Sequence, residues 1–389
     1  MRATSQEVAV AWSVLKWARE TIGKNIDDVA KRLDLGESVV EKWENGEKQP
    51  TLKQLRELST FYKRPLAVFF LAMPPLEAPI PTDFRTLPKT VKKPFSEKTL
   101  LAMRRARRLQ ALAGDLNKSL EREYRVEIGQ ATLTDDPQPL AARARERLSV
   151  TEETQFKWED ETTALNEWKR RVEECGALVF ELPFPIAEGR AFSFAEADLP
   201  AIVLNSNDAI NARTFSLFHE YGHLLIGQSG ICDLSEEGKA VEQFCNRFAG
   251  EVIVPRQTLL NHPLVGIHGI AHGWEEEELQ QVAKQFKVSR EVILRRLLIL
   301  GRTTERFYHQ KREEWELKLM EQQKKRRGGR RVPSRQCVRQ NGVPFTSLVL
   351  ESAGREKITY RDVSDYLAIG LKHLPAVESL VREARNRYG

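Results

Sequence analysis

The residues of this sequence most able to do chemistry lie between positions 219 and 223. His219, Glu220 and His223 form the pattern His-Glu-x-x-His. On a helix, residues four apart project from the same face, so the two imidazoles can bind one metal ion with Glu220 beside it. This pattern is typical of a hydrolytic zinc site, although an amphipathic helix can also acquire it by chance. Apolar residues on both sides of the motif favour the metal site.

A hydrolytic zinc ion usually takes three protein ligands and leaves a fourth position to water, so the motif predicts one more ligand. Our candidate is Glu242, which is far enough along the chain for a second helix to return beside the first. Glu251 is the alternative ligand. Asn246 follows Glu242 by one turn of helix and could orient a metal-ligating side chain by contacting it. Two histidines and a carboxylate accept either zinc or manganese.

These two segments resemble the ImmA/IrrE family of zinc metallopeptidases. That family shows an H-E-x-G-H helix and then a helix of the form E-x-x-A-N-x-F-A-x-E that ends in a proline, here residues 219–223 and 242–255. Cys245 stands where the family usually has alanine. The resemblance implies a gluzincin-like peptidase in which the two histidines and Glu242 hold zinc and Glu220 is the general base. It also implies a protein substrate, a transcriptional repressor.

The composition predicts a multidomain protein without a membrane span. At 389 residues, the chain is too long for one ordinary core. No apolar run approaches the roughly 20 residues that cross a bilayer, and the first residues lack a signal sequence, so we expect a cytoplasmic protein. The four cysteines are scattered and are expected to be reduced thiols. The net charge of +6 is concentrated in residues 85–125 and 302–339, which favours polyanions but is also typical of solvated helix faces.

The first 73 residues predict a helical domain with a helix-turn-helix. Asn25 to Asp28 form a helix-capping signature, and the segment resembles the XRE (lambda-repressor-like) family through Trp43-Glu44-Asn45-Gly46 and Pro50-Thr51. Residues 1–73 hold nearly as many acidic as basic side chains, so their attraction to DNA is weak. A protein-interaction module is the alternative interpretation. The candidate DNA-binding residues are Glu37, Ser38, Val39 and Lys42.

Three short segments ahead of the metal motif predict a small sheet, namely residues 177–182, 191–194 and 201–205. The resemblance to zinc peptidases implies that one edge strand pairs with the substrate backbone, and the strand around Ile202 to Asn205 is our first choice for that role. Candidates for stabilising the oxyanion are Tyr221, His262, His268 and His272.

The predicted fold is mainly α, with an all-α helix-turn-helix domain, an α+β zincin-like peptidase domain and a small C-terminal helical unit. The boundaries are 1–73 for the helix-turn-helix domain, 74–100 for a proline-rich linker, 101–301 for the peptidase domain, 302–340 for a charged helix with a basic linker, and 341–389 for the last unit. The predicted function is a zinc-dependent endopeptidase that cuts a repressor and derepresses a stress-response or mobile-element operon. The alternatives are a DNA-binding regulator whose metal domain senses without cutting, and a toxin–antitoxin component.

Overall fold

A computed structural model describes residues 6–76, 95–195, 199–227, 236–268, 273–323 and 332–386, with backbone alone for 236–238 and 316–323. These residues form two compact units, one made of residues 6–76 and 95–105 and one that begins at residue 106. Within the described ranges, no helix combines the length and apolar character needed to cross a membrane. Most of the predicted linker after residue 76, the basic run 324–331, Cys232 and His272 lie outside the described residues.

The first unit is a bundle of short helices whose ends are set by side-chain caps. The Asn25 side chain accepts the Asp28 N–H at 2.7 Å, which confirms the helix start predicted there. Thr51 and Gln54 form the same reciprocal cap at the helix that begins at Leu52. Asp34, in the left-handed conformation, ends the second helix and makes the turn into the third. The helices are α1 (Trp12–Glu20), α2 (Ile26–Leu33), α3 (Glu37–Glu44) and α4 (Leu52–Phe61), followed by a 3₁₀ helix (Leu66–Phe70).

A buried ion pair fixes α3 in this bundle. The Arg19 guanidinium on α1 donates to both carboxylate oxygens of Glu44, with Nε–Oε1 at 2.7 Å and Nη2–Oε2 at 2.8 Å. The surrounding core is apolar and includes Val14, Val29 and Leu55. The predicted helix-turn-helix is confirmed as α2, a tight turn and α3.

The second unit surrounds a small sheet with helices, and α5 contributes its first residues to the first unit and the rest to this one. Its elements are α5 (Glu97–Ser119), α6 (Pro137–Arg147), α7 (Glu152–Lys157), α8 (Glu161–Glu174), β1 (Leu178–Leu182), β2 (Ala191–Phe194), β3 (Ala201–Asn205), α9 (Ile210–Leu225), α10 (Glu236–Ile253), α11 (Arg256–Leu260), α12 (Pro263–His268), α13 (Glu276–Phe286), α14 (Arg290–Ile299), α15 (Glu305–Gln323), α16 (Pro333–Asn341), α17 (Val343–Gly354), α18 (Tyr360–Leu367), a 3₁₀ helix (Leu371–His373) and α19 (Leu374–Asn386).

The three predicted strands are confirmed, but the predicted edge strand is wrong. The strand order is β1-β3-β2, with β3 parallel to β1 and antiparallel to β2. Ile202 pairs with Val179 on one side and with Ser193 on the other, so β3 has no free edge for a substrate. The outer edge of β2 has no strand partner among the described residues.

Helix α9 is the central helix of the second unit. Every residue from Arg213 to Leu225 is buried, because α9 packs on β2, β3, α8 and α10 together. A helix that is buried on all sides cannot rotate without disturbing the core. The motif at 219–223 is therefore held rigidly.

Candidate metal centre

Helices α9 and α10 bring the three predicted ligands to one point. The two Nε2 atoms of His219 and His223 are 3.3 Å apart. The Glu242 carboxylate from α10 lies 3.4 Å from Nε2 of His219 and 3.2 Å from Nε2 of His223. Both imidazoles are buried, whereas the Glu242 side chain is 31% exposed, so the site opens to solvent on the carboxylate side. Three electron-pair donors converge here, an arrangement that a cation stabilises.

The distances between the donor atoms can be compared with the distances between ligand atoms around a bound metal ion. Tetrahedral zinc, with ligand bonds of about 2.0–2.2 Å, has ligand atoms about 3.3–3.5 Å from one another. An octahedral ion with bonds of about 2.1 Å has neighbouring ligands only about 3.0 Å apart. The Nε2–Nε2 separation of 3.3 Å, and the separations of 3.4 Å from His219 to Oε2 and 3.2 Å from His223 to Oε1 of Glu242, are within a few tenths of an ångström of both arrangements. These residues can hold a metal ion with little rearrangement.

Glu220, the predicted general base, is held by a residue that the sequence did not single out. Ser193 on β2 donates its hydroxyl to Oε2 of Glu220 at 2.8 Å, and both residues are buried. Because this hydrogen bond uses Oε2, the Oε1 atom of Glu220 can bind another partner. The bond also fixes the side-chain rotamer of Glu220. A serine in a strand 27 residues earlier in the chain gives no pattern from which this contact could be predicted.

The glycine within the motif allows the two ligand-bearing helices to approach closely. A Cβ atom added to Gly222 would lie 3.1 Å from Sγ, 3.3 Å from Cα and 3.3 Å from Cβ of Cys245. Any larger residue at position 222 would push α10 away from α9, and Glu242 is carried on α10. The close contact therefore contributes directly to the ligand geometry.

The buried ionisable groups of the site shift one another's pKa values. Burial alone would raise the pKa of the Glu242 carboxyl, but hydrogen bonds with His219 and His223 outweigh it and lower that pKa. Burial opposes charge on His223, yet its contacts with Cys245 and Glu242 together raise its pKa. Burial raises the pKa of the Cys245 thiol, although the neighbouring His223 opposes this shift.

A buried polar clamp holds the C-terminal end of α10. Arg145 donates to the Val252 carbonyl at 2.7 Å, Gln155 to the Ile253 carbonyl at 2.9 Å, and Arg296 to the Val254 carbonyl at 3.1 Å. These carbonyls have no partner within the helix, and cations also stabilise the negative end of a helix dipole. The clamp fixes α10, and through it Glu242.

The alternative ligand Glu251 belongs to this clamp and not to the metal centre. Its Oε1 lies 2.7 Å from Nη2 of Arg296, and its Oε2 accepts the Arg256 N–H at 3.2 Å. Its carboxylate is therefore occupied by other partners.

A second buried cluster ties α9 to the sheet. Glu181 on β1 is fully buried, forms an ion pair with Arg213 on α9, and accepts from Nζ of Lys169 at 2.6 Å. Burial alone would raise the pKa of Glu181, but Lys169 and Arg213 outweigh it and lower the pKa. Arg339, at the end of α16, approaches the same carboxylate at 3.8 Å, so the C-terminal helices pack against this edge of the sheet. No local sequence pattern indicates this cluster, because its members are far apart in the chain.

The other predicted site residues lie elsewhere or have other partners. Asn246 is half-buried, and no hydrogen bond among the described residues joins it to the three metal-ligand candidates. The hydroxyl of Tyr221 donates to the Ile128 carbonyl at 2.9 Å. His262 pairs with Gln285, and His268 stacks on Trp274.

The predicted DNA-binding residues lie on α3 in the first unit. Glu37, Ser38 and Lys42 are exposed, whereas Val39 is half-buried and packs against the core. The acidic Glu41 is also exposed on this helix, so its surface is not cationic.

Two histidines on one helix, a carboxylate from the next helix and a second glutamate beside them are the arrangement of a metal-dependent hydrolase. Comparison with protein families agrees with this class. Residues 172–298 match the family model for the IrrE N-terminal-like domain (Peptidase_M78), and residues 15–69 match the Helix-turn-helix model (HTH_3). The chain therefore carries an ImmA/IrrE-type peptidase domain preceded by an XRE-type helix-turn-helix. Neither the curated proteins nor the solved structures gave a match.

Proposed function

We propose that this protein is a cytoplasmic zinc-dependent endopeptidase that cuts a transcriptional repressor and so derepresses a stress-response or mobile-element operon. The convergence of His219, His223 and Glu242 beside Glu220 carries the peptidase part of the proposal. The match of residues 172–298 to the IrrE N-terminal-like domain supports the same part. The repressor as substrate rests on the resemblance to the ImmA/IrrE family.

We infer zinc as the metal because two histidines and one glutamate, with a second glutamate beside them, are a ligand set typical of hydrolytic zinc sites. Manganese is the alternative metal for two histidines and a carboxylate. When bound, zinc polarises the scissile carbonyl and lowers the pKa of water to about 7.

The side chains around the metal centre supply the proton transfers. Glu220 accepts a proton from the attacking water and delivers it to the leaving nitrogen. Ser193 holds Oε2 of Glu220 during both steps, so the carboxylate keeps one orientation. The outer edge of β2, which also carries Ser193, is placed to pair with an extended substrate backbone.

A DNA-binding regulator is the second candidate function, and the helix-turn-helix match over residues 15–69 supports it. In this case α3 would contact an operator through Glu37, Ser38 and Lys42. The exposed carboxylates on α3 weaken that interpretation, because most affinity for DNA comes from neutralising phosphates. Footprinting on the protein's own promoter region tests it: protection of a defined site supports a regulator, and uniform cleavage contradicts it.

The proposed peptidase is tested by metal analysis together with one variant. The purified wild type and Glu220→Gln should each contain about one zinc per chain, because Glu220 is not a ligand. Only the wild type should cut peptides from a proteome-derived library. Loss of zinc in Glu220→Gln would contradict the role assigned to Glu220, and equal cleavage by both proteins would contradict the mechanism.

A further inference from the structure

A groove of about 600 Å³ opens beside the C-terminal end of α9. Its floor is apolar and contains the buried side chains of Ile128, Leu224 and Leu225. The extended segment 126–132 forms one wall, and Ala195, directly after β2, lies on the other side. The volume is within the range of about 300–1,000 Å³ that is usual for binding sites, which is enough for more than one side chain.

Several residues of the groove lie close along the chain to the candidate metal centre. Ile226 and Gly227 line it, and they follow His223 by one turn along the chain. On the other side, Ala195 follows Ser193, the partner of Glu220, by two residues. The segment after β2 and the end of α9 therefore both contribute residues to the groove.

Hydrogen bonds within the protein already hold the wall of the groove in place before a ligand binds. The Ile128 carbonyl accepts the Tyr221 hydroxyl at 2.9 Å and Nη1 of Arg147 at 2.8 Å. Gly129, at φ +95°, lets Arg147 reach that carbonyl, since a Cβ there would lie 2.8 Å from the guanidinium. The Ala131 N–H donates to the carbonyl of Leu225 at 2.8 Å. A preformed wall avoids the entropic cost of ordering a loop on binding.

The lining selects against acidic side chains. Its one ionisable residue, Asp135, accepts the Thr132 N–H at 2.7 Å and the Thr132 hydroxyl at 3.0 Å. Lysine and arginine are absent from the described lining. A negatively charged group that entered this groove would lose water without gaining a cationic partner from the lining, which is unfavourable.

We propose that this groove binds the apolar side chains of an extended substrate segment next to the bond that is cut. This inference rests on the proposed peptidase function, because the groove is assigned to the same substrate. The motif residue Tyr221 then has a defined task, which is to fix the wall of the groove through Ile128.

Binding can be measured without catalysis. Zinc-loaded full-length Glu220→Gln with methyl-labelled isoleucine and leucine is titrated with two blocked hexapeptides that differ only in two central residues, both leucine or both aspartate. The leucine peptide should shift the methyl signals of Ile128 and Leu225, and the aspartate peptide should not. Added to Glu220→Gln, Ala131→Phe should weaken binding of the leucine peptide at least ten-fold, whereas Ala131→Ser should change it less than two-fold.

Absence of shifts, equal shifts with both peptides, or equal binding by the Phe and Ser variants would overturn the proposal.

Cleavage is scored separately on the peptide library. Wild type should prefer an apolar residue at one position beside the cut bond by at least ten-fold over aspartate, and Ala131→Phe should shift that preference towards glycine and alanine. Lack of cleavage by wild type with normal leucine-peptide binding would contradict the peptidase function and leave the binding site standing.

Discussion

Removing the hydroxyl of Ser193 should reduce turnover and leave the metal in place. The hydrogen bond to Glu220 is 2.8 Å long, is buried at both ends and joins a hydroxyl to a carboxylate. Such charge-assisted bonds contribute about 1.5–3 kcal/mol, which corresponds to a roughly 10- to 150-fold effect on rate if the bond holds the base in its reactive orientation. Because Ser193 touches no candidate ligand, the zinc content of Ser193→Ala should stay near one per chain.

The assay is steady-state hydrolysis of a quenched fluorescent peptide that spans a cut site found in the peptide library. We expect kcat to fall in Ser193→Ala with KM within two-fold, and Ser193→Thr to recover part of the loss. Ser352→Ala is the matched control, because it removes another fully buried serine hydroxyl, one that donates to the Leu348 carbonyl on α17. A kcat of Ser193→Ala within two-fold of wild type, or the same loss in Ser352→Ala, would refute the positioning role.

Three further predictions test the site and its support. Glu242→Ala should abolish zinc binding at micromolar concentration, as measured by mass spectrometry of the bound metal. Glu251→Ala should keep the metal but lower the melting temperature in a thermal melt, because it leaves the buried Arg296 without its carboxylate partner. Gly222→Ala should destabilise the protein by about 1–3 kcal/mol through overpacking. Adding Cys245→Ala should restore only part of the lost stability, because the contact with the Cα of residue 245 remains. Full restoration of stability in denaturant unfolding would be inconsistent with the close helix contact. Burial raises the pKa of Glu173 to about 8 from an ordinary value of 4.5, so its contribution to stability is complete below pH 4.5 and is lost as pH rises towards 8, by up to about 1.4 kcal/mol per pH unit. Glu173→Gln should therefore flatten the pH dependence of unfolding between pH 5 and 8, and an unchanged slope would count against this assignment.

Local spacing was enough to predict part of the site. His219 and His223 are one turn apart on a single helix, so their common face follows from helix geometry alone. The helix starts at Asn25 and Thr51 were predictable for the same reason, because a cap depends on residues three positions apart.

The rest of the site depends on contacts between distant parts of the chain. Ser193 reaches Glu220 from another element, and Gln155 reaches the end of α10 from 98 positions away. The edge strand was predicted wrongly because strand order is not encoded locally: β2 lies between β1 and β3 in the sequence but at the outside of the sheet. Residue types such as serine and glutamine have no spacing rule that predicts such contacts.

The most direct test of the proposed function is a comparison of new protein N-termini in cells that express either wild type or Glu220→Gln, with both proteins checked for bound zinc. The proposal predicts one or a few new termini with wild type alone, among them a terminus within a DNA-binding repressor. Identical sets of termini in the two cultures, with and without DNA-damaging or oxidative stress, would contradict it.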